Sequence, residues 1–193
     1  MLRILCAFCA LCVVTSHATT LLVYGDSLSA GYQLPTEKSW PALLGQDWKN
    51  QGLDLQIVNA SVSGDTTAGG RARLAALLKL HQPTHVVLEL GSNDALRGLP
   101  LANTQDNLDW MTEQAQAAGA RVLLVGMQMP PNYGADYGRR FASLFEAVAK
   151  KRKAALVPFL LKGVADAPNP TALFQPDRIH PRSEAQPRML DNV

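Results

Sequence analysis

Four short polar runs in this sequence can do chemistry together: Gly25-Asp26-Ser27-Leu28-Ser29, Ser63-Gly64-Asp65-Thr66, Gly91-Ser92-Asn93-Asp94 and Pro176-Asp177-Arg178-Ile179-His180-Pro181. A serine hydroxyl becomes a useful nucleophile only when a base takes its proton, so Ser27 calls for a histidine. Beyond residue 18 the candidates are His81, His85 and His180. His81 and His85 flank Pro83. A zinc-binding His-x-x-x-His pair needs one continuous helix, which Pro83 forbids. The expected places for these two, a helix end and a strand start, lie at the rim opposite the strand C-termini. His180 is left as the base.

Asp177 precedes His180 by three residues, and on one helical turn such a pair shares a face. Asp177 can then hold the second imidazole nitrogen and stabilise its charged form. An aspartate before a turn is equally a common cap, and both readings stand. Acyl transfer further needs donors for an oxyanion. Gly64 lacks a Cβ, so its N–H can approach a substrate closely. Asn93 can supply a side-chain N–H, and the Ser27 N–H a third donor.

Strand and helix signals alternate along the chain and explain how such residues would meet. Short apolar runs predict strands over 20–25, 55–60, 85–91, 121–126 and 155–159, the last weakened by Pro158. Helical spacing of apolar residues covers 39–49, 67–80, 104–118 and 136–151, with Thr104 as an N-cap and Gly119 as a stop. The basic run Lys150-Lys151-Arg152-Lys153 reads as a solvated helix C-terminus, where cations suit the dipole. The alternation predicts a parallel five-stranded sheet in a three-layer α/β/α sandwich of flavodoxin-like type. Ligands in such sheets bind beyond the carboxyl ends of the strands. All four polar runs fall on that rim.

The first eighteen residues read as an address. Residues 4–14 are apolar, Arg3 is their only neighbouring charge, and all three cysteines (Cys6, Cys9, Cys12) lie among them. Eleven apolar residues are too few to span about 30 Å of hydrocarbon as a helix. They fit the core of a secretory signal, with Ser16-His17-Ala18 as the cleavage site. Residues 19–193 would then form one thiol-free domain with 17 basic and 16 acidic side chains, periplasmic or secreted. The whole chain of 193 residues is 47% hydrophobic and carries a net charge of +2. It can bury a sizeable core, and the charge balance excludes the basic excess of a nucleic-acid binder.

Taken together, the runs resemble the GDSL, or SGNH, hydrolase family. Gly25-Asp26-Ser27-Leu28 is similar to its nucleophile block, Gly64 to its second, Gly91-x-Asn93-Asp94 to its third and Asp177-x-x-His180 to its last. Longer stretches (25–32, 59–66, 90–98, 130–134 and 179–187) are similar to the bacterial periplasmic branch of thioesterases, lysophospholipases and arylesterases. The resemblance implies Ser27 as nucleophile, His180 as base and Asp177 as its orienter. It implies the Ser27 and Gly64 amides and the Asn93 side chain as the oxyanion hole. It also implies hydrolysis of esters and thioesters without metal or cofactor, and movement of segment 94–99 over the acyl chain. The chain ends at Val193, soon after the last block, so a short final helix is expected.

Asn132, Tyr133 and Ile179 are expected to line the acyl groove. The expected partner is a small acyl ester or lipid, met by a monomer without stable membrane insertion. Two other readings compete. A flavodoxin-like flavin carrier would use the hydroxyl-rich loop 27–32, but leaves Asn93, Asp177 and His180 without work. A non-catalytic exported binding module would keep the scaffold, but the complete set of polar residues argues against it. An α/β-hydrolase would need a Gly-x-Ser-x-Gly elbow, which the sequence lacks.

Overall fold

β1 (Thr19–Gly25) is buried over all but its first residue, as a strand covered on both faces must be. The computed structural model describes residues 19–193; the segment expected to be a secretory signal, its expected cleavage site and the three cysteines lie outside the described residues. After β1 come the short α1 (Ser27–Ala30), α2 (Trp40–Asn50), β2 (Leu55–Asn59), α3 (Thr67–His81) and β3 (His85–Glu89). They are followed by α4 (Ser92–Leu96), α5 (Leu101–Ala117), β4 (Arg121–Val125), α6 (Ala135–Arg152), β5 (Ala155–Val157) and α7 (Gln186–Asn192).

The five strands are parallel, in the order β2-β1-β3-β4-β5. This is the expected flavodoxin-like sheet. The chain winds from β1 outward to β2 and then returns to β3 on the other side of β1, so the order reverses between β1 and β3. That reversal opens a crevice beyond their carboxyl ends. α3, α5 and α6 pack side by side in one helical layer, and α2 packs with α7 in the other. Leu22, Tyr24, Leu88 and Leu124 form the centre of the core with Trp40, Phe141 and Phe145, all nearly inaccessible to water. Burial of each such side chain stabilises the fold by about 1.5–3 kcal/mol.

Several boundaries differ from the sequence expectation. α5 starts three residues early, with Pro100 at its N-cap, and Thr104 lies buried inside the helix rather than capping it. Pro100 supplies the carbonyl that the Asn103 and Thr104 N–H groups need. β5 stops at Val157 because Pro158 has no N–H for a ladder, and it is an edge strand as proline predicted. The basic run does close α6. Arg152 forks onto Asp109 of α5, with both nitrogens 2.6 Å from the carboxylate, and also reaches Glu113 at 2.6 Å.

Candidate active site

Ser27 sits where β1 gives way to α1, at the reversal in strand order. Asp26 caps that turn: its Oδ1 accepts the Leu28 N–H at 3.0 Å. Gly25 makes the turn possible. A Cβ there would come within 2.6 Å of the Glu89 carboxyl beneath it, so only glycine lets the backbone lie so close.

His180 and Asp177 come from a loop near the end of the chain. Phe174 and Pro181 close this loop with an antiparallel bridge. Within it, Oδ1 of Asp177 accepts the Ile179 and His180 N–H groups at 2.9 and 3.0 Å. Its Oδ2 lies 2.7 Å from His180 Nδ1. His180 Nε2 lies 2.8 Å from Ser27 Oγ. A carboxylate can only accept, so the network assigns the proton to Nδ1 and leaves Nε2 to take the Ser27 hydroxyl proton. Burial alone would raise the Asp177 carboxyl. The hydrogen bonds from the His180 and Ile179 amides and from the imidazole outweigh it and hold the group at about 2.

The expected helical turn over 177–180 is not there. The loop is irregular, and Arg178 takes a left-handed φ of 59°. The two readings of Asp177 prove compatible: it caps the loop with one oxygen and meets His180 with the other. His81 and His85 are at the opposite rim, as expected, where His85 begins β3.

Asn93 follows β3, the strand beside β1, and donates from Nδ2 to Asp26 Oδ2 at 3.0 Å. Gly64 lies in the β2–α3 loop with φ +80°, a conformation that favours glycine. That loop is tied to β1, since Val62 N–H donates to the Gly25 carbonyl and Gly25 N–H to Ser61 Oγ, both at 3.0 Å. Two contacts couple the Gly64 and Asn93 loops. Arg97 Nη2 donates to the Gly64 carbonyl at 2.9 Å. Buried Asp94 accepts the Thr67 N–H at 2.8 Å and also its hydroxyl.

A cleft of about 640 Å³ opens at Ser27, Asn93 and His180. Its walls are mostly apolar, with Leu96, Met127, Met129, Phe159, Leu161 and Ile179 prominent. Ile179 is among the lining residues. Asn132 and Tyr133 are not: both are exposed, and neighbouring Pro130 and Pro131 form that wall instead. A 3-10 turn at Pro131–Tyr133 carries them past the cleft. The sequence reading missed Met127, Met129, Phe159 and Leu161, whose signal was position just beyond β4 and β5. It also missed Tyr32, whose ring centroid lies 4.3 Å from that of His180. Among the described residues no cluster of three His, Cys, Asp or Glu side chains is placed to hold a metal.

Residues 23–186 match the GDSL-like Lipase/Acylhydrolase family. The chain belongs to that family. As a GDSL-like acylhydrolase it is similar to the esterase TesA of Pseudomonas aeruginosa, 50% identical over 186 residues, which cover 95% of this chain and 91% of that relative. It is similar to the Thioesterase 1/protease 1/lysophospholipase L1 of Escherichia coli K12, 43% identical over 90% of this chain and 81% of that one. The structure of the psychrotrophic esterase EstA from Pseudoalteromonas sp., inhibited by monoethylphosphonate, superposes with a TM-score of 0.85. It is 40% identical and covers 90% of this chain and 93% of its own.

Proposed function

We propose that this acylhydrolase cleaves carboxylic esters and thioesters of apolar acyl groups through an acyl-enzyme on Ser27. The continuous chain of contacts from Ser27 through His180 to Asp177, opening on an apolar cleft, carries this reading. Ser27 attacks the carbonyl as its proton passes to His180 Nε2. Asp177 keeps the imidazole in the required tautomer and balances the charge it gains. The Ser27 and Gly64 amides and the Asn93 side chain receive the oxyanion. His180 then gives its proton to the leaving alcohol or thiol. Water, deprotonated by the same imidazole, releases the acid and restores Ser27.

The acyl half occupies the cleft, and Ile179 lines it. Aryl and short to medium acyl esters and lysophospholipids are the proposed substrates, with acyl thioesters sharing the same acyl half. The protein is proposed to act as a monomer after export to the periplasm or beyond; no helix among the described residues is long and apolar enough to cross a membrane.

A chain-length series of p-nitrophenyl esters, beside a lysophospholipid and an acyl-CoA, tests the reading, with Ser27→Ala as control. The expected result is hydrolysis that Ser27→Ala abolishes and a phosphonate blocks by modifying Ser27. Undiminished turnover by Ser27→Ala would overturn it.

A further inference from the structure

Beneath the oxyanion donors lie two carboxyl groups that the reaction above does not use. Asp26 is 1% exposed and Glu89 is fully buried. Glu89 ends β3 in register with Gly25 of β1. Its Oε2 accepts the Ser29 hydroxyl at 2.8 Å and the Asp26 N–H at 3.3 Å, and among the described residues its Oε1 has no hydrogen-bond partner. Glu89 therefore braces the backbone of Asp26 from below. Asp26 in turn uses one oxygen on the Leu28 N–H and the other on Asn93 Nδ2.

The Asn93 contact has a geometric consequence. A side-chain amide is planar and has two N–H bonds at fixed directions. Holding one of them fixes the plane and so the direction of the other. Asn93 also lines the cleft beside Ser27. We propose that Asp26, braced by Glu89, is a positioning residue of the oxyanion hole: it holds one N–H of Asn93 and thereby aims the second at the developing oxyanion. This rests on the reading of Asn93 as a donor.

The electrostatics are consistent with such a role. Burial pushes the Asp26 carboxyl up to about 7, although the Leu28 and Asn93 hydrogen bonds pull it down and the nearby Asp65 and Asp94 push it further up. Burial and the adjacent Asp26 push Glu89 well above the ordinary carboxylate range, against the Ser29 hydrogen bond. Two like charges packed together in a dry interior are costly, and this favours the protonated form of the pair. A pair that retains a proton can orient Asn93 without setting two full negative charges under an oxyanion.

The test is a double-mutant comparison on p-nitrophenyl butyrate with the full chain, using Asp26→Asn, Asn93→Ala and both together. Asn at position 26 offers a single acceptor to two donors, so the Asn93 contact is lost or weakened. Asn93→Ala should lower kcat by about 10²–10³. Asp26→Asn should lower kcat about tenfold or more and change KM less than threefold. In the Asn93→Ala background it should cost less than threefold. The same loss in both backgrounds, or a kcat loss under threefold in the single variant, would overturn the proposal while leaving the esterase reading intact. An Asn93→Ala loss under fivefold would remove Asn93 as a donor and this proposal with it. Asp26→Ser, which can still cap Leu28, replaces Asp26→Asn if that variant does not fold. NMR of the wild-type protein gives an independent check. One Asn93 side-chain amide proton should exchange slowly with solvent, and rapid exchange of both would overturn the proposal.

Discussion

Tyr32 lays its ring against the imidazole of His180, with centroids 4.3 Å apart and planes inclined by 38°. The Tyr32 carbonyl is itself fixed by Gln175 Nε2 at 2.9 Å, from the loop that carries His180. Among the described residues the hydroxyl meets only the exposed amide of Gln33. The ring, not the phenol, is therefore the part that matters. Tyr32→Phe should keep kcat/KM near wild type, and Tyr32→Ala should lower it about threefold to tenfold, in line with roughly 0.5–1.5 kcal/mol for an aromatic contact. Steady-state kinetics on one p-nitrophenyl ester decides it; equal losses in both variants would assign the effect to the hydroxyl.

Asp177→Asn separates the two jobs of Asp177. The amide oxygen can still accept the Ile179 and His180 N–H groups, so the loop should fold. Its NH₂ would face His180 Nδ1 and favour the wrong tautomer, and kcat should fall by about 10³–10⁴. Circular dichroism should match wild type. Activity within tenfold of wild type would mean that Asp177 does not orient the base.

The pH dependence of stability has two windows of opposite sign. Hydrogen bonds from Arg152, against some desolvation and helped by Lys151, lower Asp109 from 3.8 to about 2. A lowered carboxylate contributes stability above its unfolded value and loses it as pH falls through the folded one. Asp109→Asn should therefore lower Tm at pH 6 and converge with wild type as pH falls toward 2. Parallel curves would show that the α5–α6 ion network contributes nothing.

Glu89 and Asp26 work in the other direction. With Asp26 raised from 3.8 to about 7 and Glu89 raised as well, the folded state holds more protons than the unfolded one between those values. Stability should fall as pH rises through that window. Glu89→Gln removes one of the two acids and should flatten the decline in Tm between pH 4 and about 7. An unchanged slope would mean that the pair does not titrate as a buried unit.

Met129 is a half-buried, flexible wall of the cleft, and methionine adapts readily to its surroundings. Met129→Trp should block the groove, lowering kcat/KM for dodecanoyl relative to acetyl esters by about tenfold or more. Each methylene refused is worth roughly 1–3 kcal/mol. An unaltered chain-length profile would place the acyl group elsewhere.

Ser27, His180 and Asp177 were legible in the sequence because each lies in a short polar run just past an apolar strand or in the last turn. Their types are scarce enough that position alone pruned the histidines. The rest of the site comes from long-range packing. Glu89 reads as one polar residue in a buried strand, and its work exists only because β3 pairs with β1 opposite Gly25. Met127 and Phe159 read as ordinary apolar residues until β4 and β5 lie side by side. Asn132 and Tyr133 were misplaced because a proline-led turn carries them off the wall, and sequence spacing does not reveal its direction.

The loop that carries Asp177 and His180 is braced mostly by its own bonds, from Gln175 to Arg182, and meets Ser27 across 153 residues of chain. Its opening would separate Ser27 from His180 while the sheet stays intact, because local segments unfold at lower cost than the core. Activity is then a gauge of how well this last loop is seated. On heating, catalysis should fade before the far-ultraviolet signal of the sheet and helices does. In synthesis, the hydroxyl stays unarmed until the final loop has been made and has closed on it.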